Sequence, residues 1–213
     1  MVLSAYGESG LTGWGIGTTV QKLLLQTDVP TLIVRPQQPV VSGLTGLRYR
    51  KLLVPLDCSL RAECILPVAA TLAASHKAQL LLAHVIRKPQ MPRRVPLTQE
   101  ETELAERLVE CNRKAAARYF KELQYRMSWQ VESRLVVSEY VSATLHELVA
   151  QQEIDLILLS AHGYSGESQW PFGSVALNLV WHGTTSILLV QDLSRGQMER
   201  ARGEKSTREK KGH

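Results

Sequence analysis

The residues best suited to bind a ligand follow an apolar run in the second half of the chain. Residues 156–159 are Leu-Ile-Leu-Leu, and the run stops at the small, polar sequence Ser160-Ala161-His162-Gly163. Such a run predicts a strand buried on both faces. Gly173-Ser174 then begins an apolar segment of helical spacing. A glycine loop followed by a helix start supplies backbone N–H groups and a positive dipole end, so this order of elements predicts a phosphate cradle, to which Ser174 adds a hydroxyl donor.

The chain contains this pattern twice. Residues 3–35 align with residues 159–191 at a constant offset of 156, without a gap. The matched pairs include Gly7 and Gly163, Gly17 and Gly173, Thr18 and Ser174, and Trp14 and Trp170. Agreement across glycines, tryptophans and strand residues together predicts an internal duplication, and packing of the loop is the expected role of both tryptophans. The first copy begins at the end of its strand, so it corresponds to only the last part of a repeat.

These spacings resemble the universal stress protein family, in its nucleotide-binding branch. That branch carries Gly-x2-Gly, nine residues, and then Gly-Ser or Gly-Thr. The second copy reads Ser160-x2-Gly163, nine residues, and then Gly173-Ser174. It departs from the family pattern only at the first glycine, and the first copy departs in the same way with Ser4. The family's other landmark is an aspartate just after the first strand, which Asp57 resembles. The resemblance covers residues 47–192 as a complete domain and residues 1–36 as the C-terminal fragment of another, joined by a linker over residues 37–46 and followed by a basic tail over residues 193–213.

The resemblance implies a fold and a ligand. The fold is an α/β three-layer sandwich with a parallel five-stranded sheet in the order 3-2-1-4-5, similar to the adenine nucleotide alpha hydrolases. The ligand is ATP, with or without Mg²⁺. The implied nucleotide-binding residues are Pro55, Asp57, Ser59, Val85, Ser160, His162, Gly163, Gly173 and Ser174. Asp57 would serve the adenine and ribose end, and the backbone of Val85 the adenine edge. Gly163, Gly173 and Ser174 would bind the phosphates.

Three of these residues keep alternative interpretations. Asp57 could instead cap the first helix together with Ser59. A Cβ at Ser160 could crowd the phosphates, or its hydroxyl could add a hydrogen bond. His162 could contact phosphate, although a single loop histidine is more often a solvated or structural group.

No catalytic set of residues is evident. No metal-ligand spacing occurs and no Walker lysine follows Gly173, so any ATP hydrolysis is expected to be slow. The predicted function is an ATP-binding regulatory or stress-response module. Two alternatives stay open. One is a dimerisation or interaction module that keeps the fold without the nucleotide, and the other is the cytosolic regulatory portion of a membrane transporter, the only case in which membrane contact is expected.

Composition and charge predict a cytoplasmic globular protein. Of the 213 residues, 44% are hydrophobic and 21% are charged, which is ordinary for a soluble domain, and neither a membrane-spanning run nor a signal peptide is predicted. Three cysteines without a C-x-x-C pair favour free thiols in a reducing compartment. Most of the net charge of +5 lies in the tail, so no specific nucleic-acid partner is predicted for the body, and the tail is expected to be disordered.

Strand and helix patterns alternate along the chain, which independently favours a parallel α/β sandwich. Besides residues 156–159, the expected strands are residues 30–34, 48–55, 79–85, 131–137 and 186–190. The expected helices are residues 18–26, 62–75, 98–127 and 142–152, and one more follows Gly173. Thr98-x-x-Glu101 predicts a capping box, and the three prolines of residues 87–96 predict a loop.

The strand of the first copy has no sheet of its own in the sequence. Left alone it would expose an apolar edge, and in the resembled family the last strand pairs antiparallel with that of a second domain. Residues 31–34 are therefore expected to pair antiparallel with residues 187–190. Another chain is expected to supply the neighbour on the far side, giving a homodimer or higher homo-oligomer through the last strand. The first glycine loop is expected to be an empty half-site, since no equivalent of Asp57 precedes it.

Overall fold

The structure, a computed structural model, describes residues 1–5, 16–35, 48–90, 96–127, 131–164 and 172–193. The strands are β1 (Val2–Ser4), β2 (Thr31–Val34), β3 (Lys51–Pro55), β4 (Gln79–Arg87), β5 (Glu132–Ser138), β6 (Leu156–Ser160) and β7 (Ser186–Val190). The helices are α1 (Thr18–Gln26), α2 (Leu66–His76), α3 (Gln99–Arg126), α4 (Val141–Gln151) and α5 (Ser174–His182), with a 3-10 turn over Ala62–Ile65 before α2.

All of these strands form one sheet, in the order β1-β2-β7-β6-β3-β4-β5. The strands β3 to β7 run parallel, and numbered within their own domain they stand in the order 3-2-1-4-5. The predicted α/β fold is confirmed. The predicted sheet of five strands is enlarged by β2 and β1, so the order of the whole sheet differs from the prediction because the first copy docks onto its edge.

Helices cover both faces of the sheet, which makes three layers. One buried cluster joins the sheet to α1, α4 and α5 and includes Leu24 and Leu179. The other joins it to α2 and α3 and includes Phe120. Adjacent residues of β3 divide between them, Leu53 in the first cluster and Leu52 in the second, because successive side chains of a strand point to opposite faces.

The beginnings of two helices show how far local signals predict the structure. The capping box of α3 is confirmed: the Glu101 amide donates to Thr98 Oγ1 at 3.3 Å, and the Thr98 amide donates to Glu101 Oε2 at 2.8 Å. The helix predicted over residues 62–75 is wrong at its start, since a 3-10 turn precedes α2. Pro67 lies in the first turn of α2. A proline suits a first turn, but in a helix that began at residue 62 it would remove a backbone hydrogen bond.

The pairing predicted for the first copy is confirmed. β2 runs antiparallel to β7, with Thr31 opposite Leu189 and Ile33 opposite Ile187. The expectation that another chain supplies the next neighbour is not met, because β1 of the same chain pairs with β2. β6 and β2 occupy both edges of β7. The predicted homo-oligomer stays a prediction, and in this arrangement it needs a contact other than the edge of the last strand.

The two copies share backbone hydrogen bonds as well as residue types. The Ala5 amide donates to Val34 at 2.9 Å, and the Ala161 amide donates to Val190 at 2.8 Å. The Gly17 amide donates to Ala5 at 2.9 Å, just as the Gly173 amide donates to Ala161 at 2.7 Å. These equivalent bonds support the duplication inferred from the sequence.

Some predictions fall outside the described residues. These are the linker over residues 37–46, the tail beyond residue 193, the centre of the proline loop over residues 91–95, most of both glycine loops, and Trp14 and Trp170. Within the described ranges, no helix has the length and apolar character needed to cross a membrane.

Candidate functional site

A cleft of about 880 Å³ opens at the C-terminal ends of the parallel strands. β3 pairs with β4 only as far as Pro55, whereas β4 continues beside β5 as far as Arg87. The sheet therefore has a notch beyond the end of β3. Since β3 lies between β4 and β6, the notch coincides with the switch in strand order, where open α/β sheets bind their ligands.

The cleft brings nearly all of the predicted site residues together. Those that line it are Pro55, Asp57, Val85, Ser160, His162, Gly163, Gly173 and Ser174. Ser59 is absent from this lining, but its amide and hydroxyl donate to Asp57 Oδ1 at 3.1 and 2.6 Å. The ends of β3, β4 and β6 and the start of α5 position these residues.

Asp57 holds two loops together at the edge of the cleft. Besides the two bonds from Ser59, its Oδ2 accepts the amide of Tyr164. Gly163 permits this contact, because a Cβ there would lie 2.1 Å from Asp57 Oδ2. Ser59 Oγ in turn accepts the amide of Ala62 at 3.2 Å, so Ser59 caps the 3-10 turn and Asp57 ties that turn to the glycine loop. A carboxylate offers about four lone-pair directions, which leaves about one for a ligand hydroxyl.

Some amides around the glycine loop are used inside the protein, and others are open. The Ala161 amide donates to Val190, and the Gly173 amide donates to Ala161. In the part of the chain that the structure describes, neither the Gly163 amide nor the Ser174 hydroxyl forms a hydrogen bond. The first-turn residues of α5 also line the cleft, and first-turn amides have no carbonyl partner within their helix. These donors and the helix dipole together suit an anion.

The described residues around Gly173 would tolerate a side chain at this position. Its φ of −72° and ψ of 162° are open to any residue. A Cβ would meet Ala161 O at 3.5 Å and His162 Cα at 3.7 Å, which are ordinary van der Waals distances. The missing side chain therefore relieves no clash among the described atoms, and it leaves room for the close approach of a ligand.

The hydroxyl of Ser160 is used inside the protein. Ser160 is buried at the end of β6, and its Oγ accepts the Sγ–H of Cys64 at 3.5 Å. Burial raises the pKa of Cys64, and it raises the pKa of Cys58, with help from Asp57 and Glu63, to about 11. Neither thiol is therefore a ready nucleophile near neutral pH.

A cluster of His162, Asp192 and Arg61 at the C-terminal ends of β6 and β7 was missed by sequence reasoning. Oδ1 of Asp192 accepts Nδ1 of His162 at 2.7 Å and the His162 amide at 3.1 Å, and Oδ2 accepts Nε of Arg61 at 2.6 Å. The side chains of His162 and Asp192 are 0% and 3% exposed. Burial alone would raise the pKa of Asp192, but hydrogen bonds from His162 and Arg61 outweigh it and hold that pKa below its usual range.

This cluster changes the interpretation of His162. The imidazole is a structural group that joins the glycine loop to the chain after β7, so the solvated alternative is wrong. One signal could have found Asp192. The equivalent position of the first copy is Pro36, and an acid that is present in only one copy marks a difference in chemistry between them.

The backbone of Val85 faces the notch. Ala83 O accepts the amide of Leu56 at 2.8 Å, so the peptide groups of Ala83 face β3. Val85 comes two residues later and turns its peptide groups to the same side, beyond the end of β3. His84 donates from Nδ1 to Leu56 O at 2.8 Å, which gives this histidine a structural role.

The wall formed by the connection between β5 and α4 and by the first turn of α4 was also missed. Glu139, Tyr140 and Ser142 line the cleft, and Phe172 lines it next to Gly173. No motif marks these positions in the sequence. They reach the cleft only because β5 pairs with β4, a contact that local patterns do not specify.

Comparison with known proteins places the chain in a family. A profile of the Universal stress protein family matches residues 48–191. The universal stress protein UspA from Lactobacillus plantarum is 23% identical with a TM-score of 0.57, over 68% of this chain and 99% of that chain. A functionally unknown protein from Pseudomonas aeruginosa is 12% identical with a TM-score of 0.67, over 97% of this chain and 66% of that chain. A universal stress protein from Archaeoglobus fulgidus is 14% identical with a TM-score of 0.58, over 90% of this chain and 62% of that chain.

A comparison with curated protein sequences gives no significant match. The likeness to the last two structures covers at least 90% of the chain, so it extends into the first copy, and at these identities it shows the fold. The family profile spans well over half of the chain, and on that ground the chain belongs to the universal stress protein family.

Proposed function

We propose that the chain is a cytoplasmic, ATP-binding regulatory module of the stress response, in which the cleft beyond β3 holds the nucleotide. The observation that carries this proposal is the set of donors at one end of the cleft. The Gly163 amide, the Ser174 hydroxyl and the first-turn amides of α5 belong to residues that line the cleft, and residues at the end of β4 line it as well. A triphosphate is the adenosine-linked anion best suited to several backbone donors and a helix dipole.

Each part of the nucleotide has a candidate partner. The peptide groups of Val85 would bond the adenine edge, the remaining lone pair of Asp57 would accept a ribose hydroxyl, and the donors of Gly163 and α5 would bind phosphate oxygens. Mg²⁺ would be held mainly through the phosphates, because the described residues contain no group of three or more His, Cys, Asp and Glu placed to hold a metal.

Hydrolysis is expected to be slow. Arg87 is the one lysine or arginine among the described lining residues, and it lies at the end of β4 rather than in the phosphate loop. Phosphoryl transfer depends on cations and a positioned nucleophile to stabilise charge in the transition state. A module that binds ATP without consuming it quickly suits a regulatory role.

Isothermal titration with ATP and magnesium tests the ligand. We expect a dissociation constant in the micromolar range, about 7–8 kcal/mol of binding free energy. A protein that is folded by circular dichroism yet gives no heat at high micromolar ATP would exclude the nucleotide. The interaction module without a ligand would then be the better interpretation.

The role of Asp57 needs a test that separates ribose binding from the tying of loops. Asp57→Ala removes both functions, whereas 2′,3′-dideoxy-ATP removes only the ribose hydroxyls. If Asp57 binds ribose, the substitution should weaken ATP binding about tenfold more than it weakens dideoxy-ATP binding. Equal losses for the two nucleotides would mean that Asp57 only holds the loops. Ser142→Ala, at another polar residue of the cleft, is the matched control.

A further inference from the structure

The first half of α3 leaves apolar side chains exposed. The residues that α3 buries, Ala116, Phe120 and Leu123, all lie in its second half. Before Ala116 no residue of α3 is buried, yet Leu104 and Leu108 are there, 59% and 49% exposed. Leucines this exposed on one helix face suggest a surface that another molecule covers.

The exposed leucines belong to a stripe that is separate from the buried face of α3. The members of this stripe are Glu101, Leu104, Leu108, Cys111, Ala115 and Arg118. They follow one another at alternating steps of three and four residues, which keeps them on one side of a helix. At 3.6 residues per turn, the stripe is centred roughly 110° around the helix from the buried residues. α3 thus has one apolar face for the sheet and a second one that the described residues leave open.

Two copies of the stripe are complementary in charge when their helices run antiparallel. It begins with an acid, Glu101, and ends with a base, Arg118. In an antiparallel pair of identical helices, Glu101 meets Arg118 of the other copy at both ends, and Leu108 meets Cys111 in the middle. A parallel pair would instead place like charges opposite each other, which is unfavourable.

The charges of the whole of α3 also favour an antiparallel pair. Residues 99–112 contain five acidic and one basic residue, and residues 113–126 contain five basic and one acidic residue. Two pairs within the helix, Arg107–Glu103 at 3.5 Å and Lys114–Glu110 at 3.7 Å, are solvent-exposed and therefore weak. Glu101 also closes the capping box. The net charge of each half is unchanged by these pairs, so an antiparallel copy brings opposite charges together along the whole helix.

We propose that the α3 stripe is a homodimer interface, in which two copies of this chain pack their α3 helices antiparallel with Leu108 opposite Cys111. The contact spans about 27 Å of helix, the length of 18 residues at 1.5 Å each. It leaves the sheet edge and the cleft untouched, so it does not depend on the proposed nucleotide. Because the charged pairs lie at the ends of the apolar centre, added salt should weaken the dimer.

Sedimentation equilibrium of the full chain tests the interface. The wild-type protein should be a dimer at about 100 µM, as expected for a contact of modest size. Leu108→Arg should raise the dimer dissociation constant about tenfold or more. It should leave the far-UV circular dichroism spectrum unchanged, and also thermal unfolding at a concentration low enough for both proteins to be monomeric. Leu60→Arg is the matched control, because Leu60 is 82% exposed outside the stripe, and it should keep the wild-type mass. A monomeric wild type, or a dimer that Leu108→Arg leaves intact, would overturn the proposal.

Cross-linking tests the orientation independently. In a Cys111→Ser background, Leu104→Cys combined with Ala115→Cys should give a covalent dimer on mild oxidation, because residues 104 and 115 face each other only in the antiparallel pair. Leu104→Cys alone should not cross-link to its own copy, and cross-linking of this single variant would show a parallel pair instead. The basic tail could cover the acidic half of α3. If the chain became a dimer only after residues 195–213 were deleted, the tail and not a second copy would be the occupant, and the proposal would fail.

Discussion

The two copies of the repeat keep the same framework and differ in chemistry. In both copies an alanine amide donates to the last strand, and a glycine amide before the helix donates back to that alanine. The buried side chains also correspond, with Ile33 0% exposed in the first copy and Leu189 3% exposed in the second. The groups at the cleft do not correspond. No residue of the first copy matches Asp57, and Asp192 is replaced by Pro36.

This difference separates what the fold needs from what a site needs. The fold depends on backbone hydrogen bonds and apolar volume, which many residues can supply. The site depends on particular polar side chains brought from other strands. Residues 1–36 supply β1, α1 and β2 to the fold, and they include no equivalent of β3 with its aspartate.

The largest expected effect tests whether the first copy is part of the same folding unit. Ile33→Ala and Leu189→Ala should each lower the free energy of unfolding by about 2–5 kcal/mol, because each leaves a cavity in the same buried cluster. Urea denaturation followed by circular dichroism measures both. Val34, 37% exposed, supplies the control, and Val34→Ala should cost much less. A separate early transition in Ile33→Ala would mean that the first copy is only loosely attached.

The second-largest expected effect tests which copy binds the nucleotide. Gly173→Val should weaken ATP binding about 100-fold, near 2.7 kcal/mol, by filling the space next to the phosphate donors. Gly17→Val places the same group at the equivalent position, where a Cβ would meet Ala5 O at 3.7 Å, and should leave affinity unchanged. Titration calorimetry measures both variants, and circular dichroism checks their folding. Equal losses in the two variants would disprove the idea of an empty first half-site.

A third, smaller effect concerns the acid found only in the second copy. Asp192→Asn should lower the free energy of unfolding at pH 7 by about 1–3 kcal/mol, because His162 and Arg61 lose a buried acceptor of full charge. The folded pKa of Asp192 lies below its unfolded value, so its contribution is present above pH ~4 and disappears as the pH falls through the folded pKa. The difference between wild type and variant should therefore shrink in acid. A difference that is constant from pH 7 to pH 3 would contradict this assignment. Glu103→Gln, in an exposed pair, should change stability by less than about 0.5 kcal/mol.

Local patterns predicted much of the fold and part of the site. Apolar runs and capping signals predicted the strands, most helices and the capping box of α3, because these are short-range features. The internal repeat predicted the pairing of β2 with β7. The start of α2 was mispredicted, since the effect of Pro67 was overlooked. The wall around Tyr140 was missed because its role depends on which strands become neighbours, and single-sequence patterns do not contain that information. Asp192 was missed although the repeat marks it as a difference from Pro36, because its contacts with His162 and Arg61 are visible only in the fold.

The smallest expected effect concerns the one departure that both copies share, a serine where the family motif has its first glycine. If the Ser160 side chain crowded the phosphates, Ser160→Gly should strengthen ATP binding. The structure argues for a different outcome, because Ser160 Oγ accepts from Cys64 at 3.5 Å, in the 3-10 turn before α2, and Gly163 and α5 supply the open donors. We therefore expect Ser160→Gly to change ATP affinity by no more than about twofold, or ~0.4 kcal/mol. Stability should fall by about 0.5–1 kcal/mol, since glycine is unfavourable in a strand. Ser4→Gly should lower stability similarly without any effect on affinity, and a tenfold gain in affinity for Ser160→Gly would show that the serine limits the site after all.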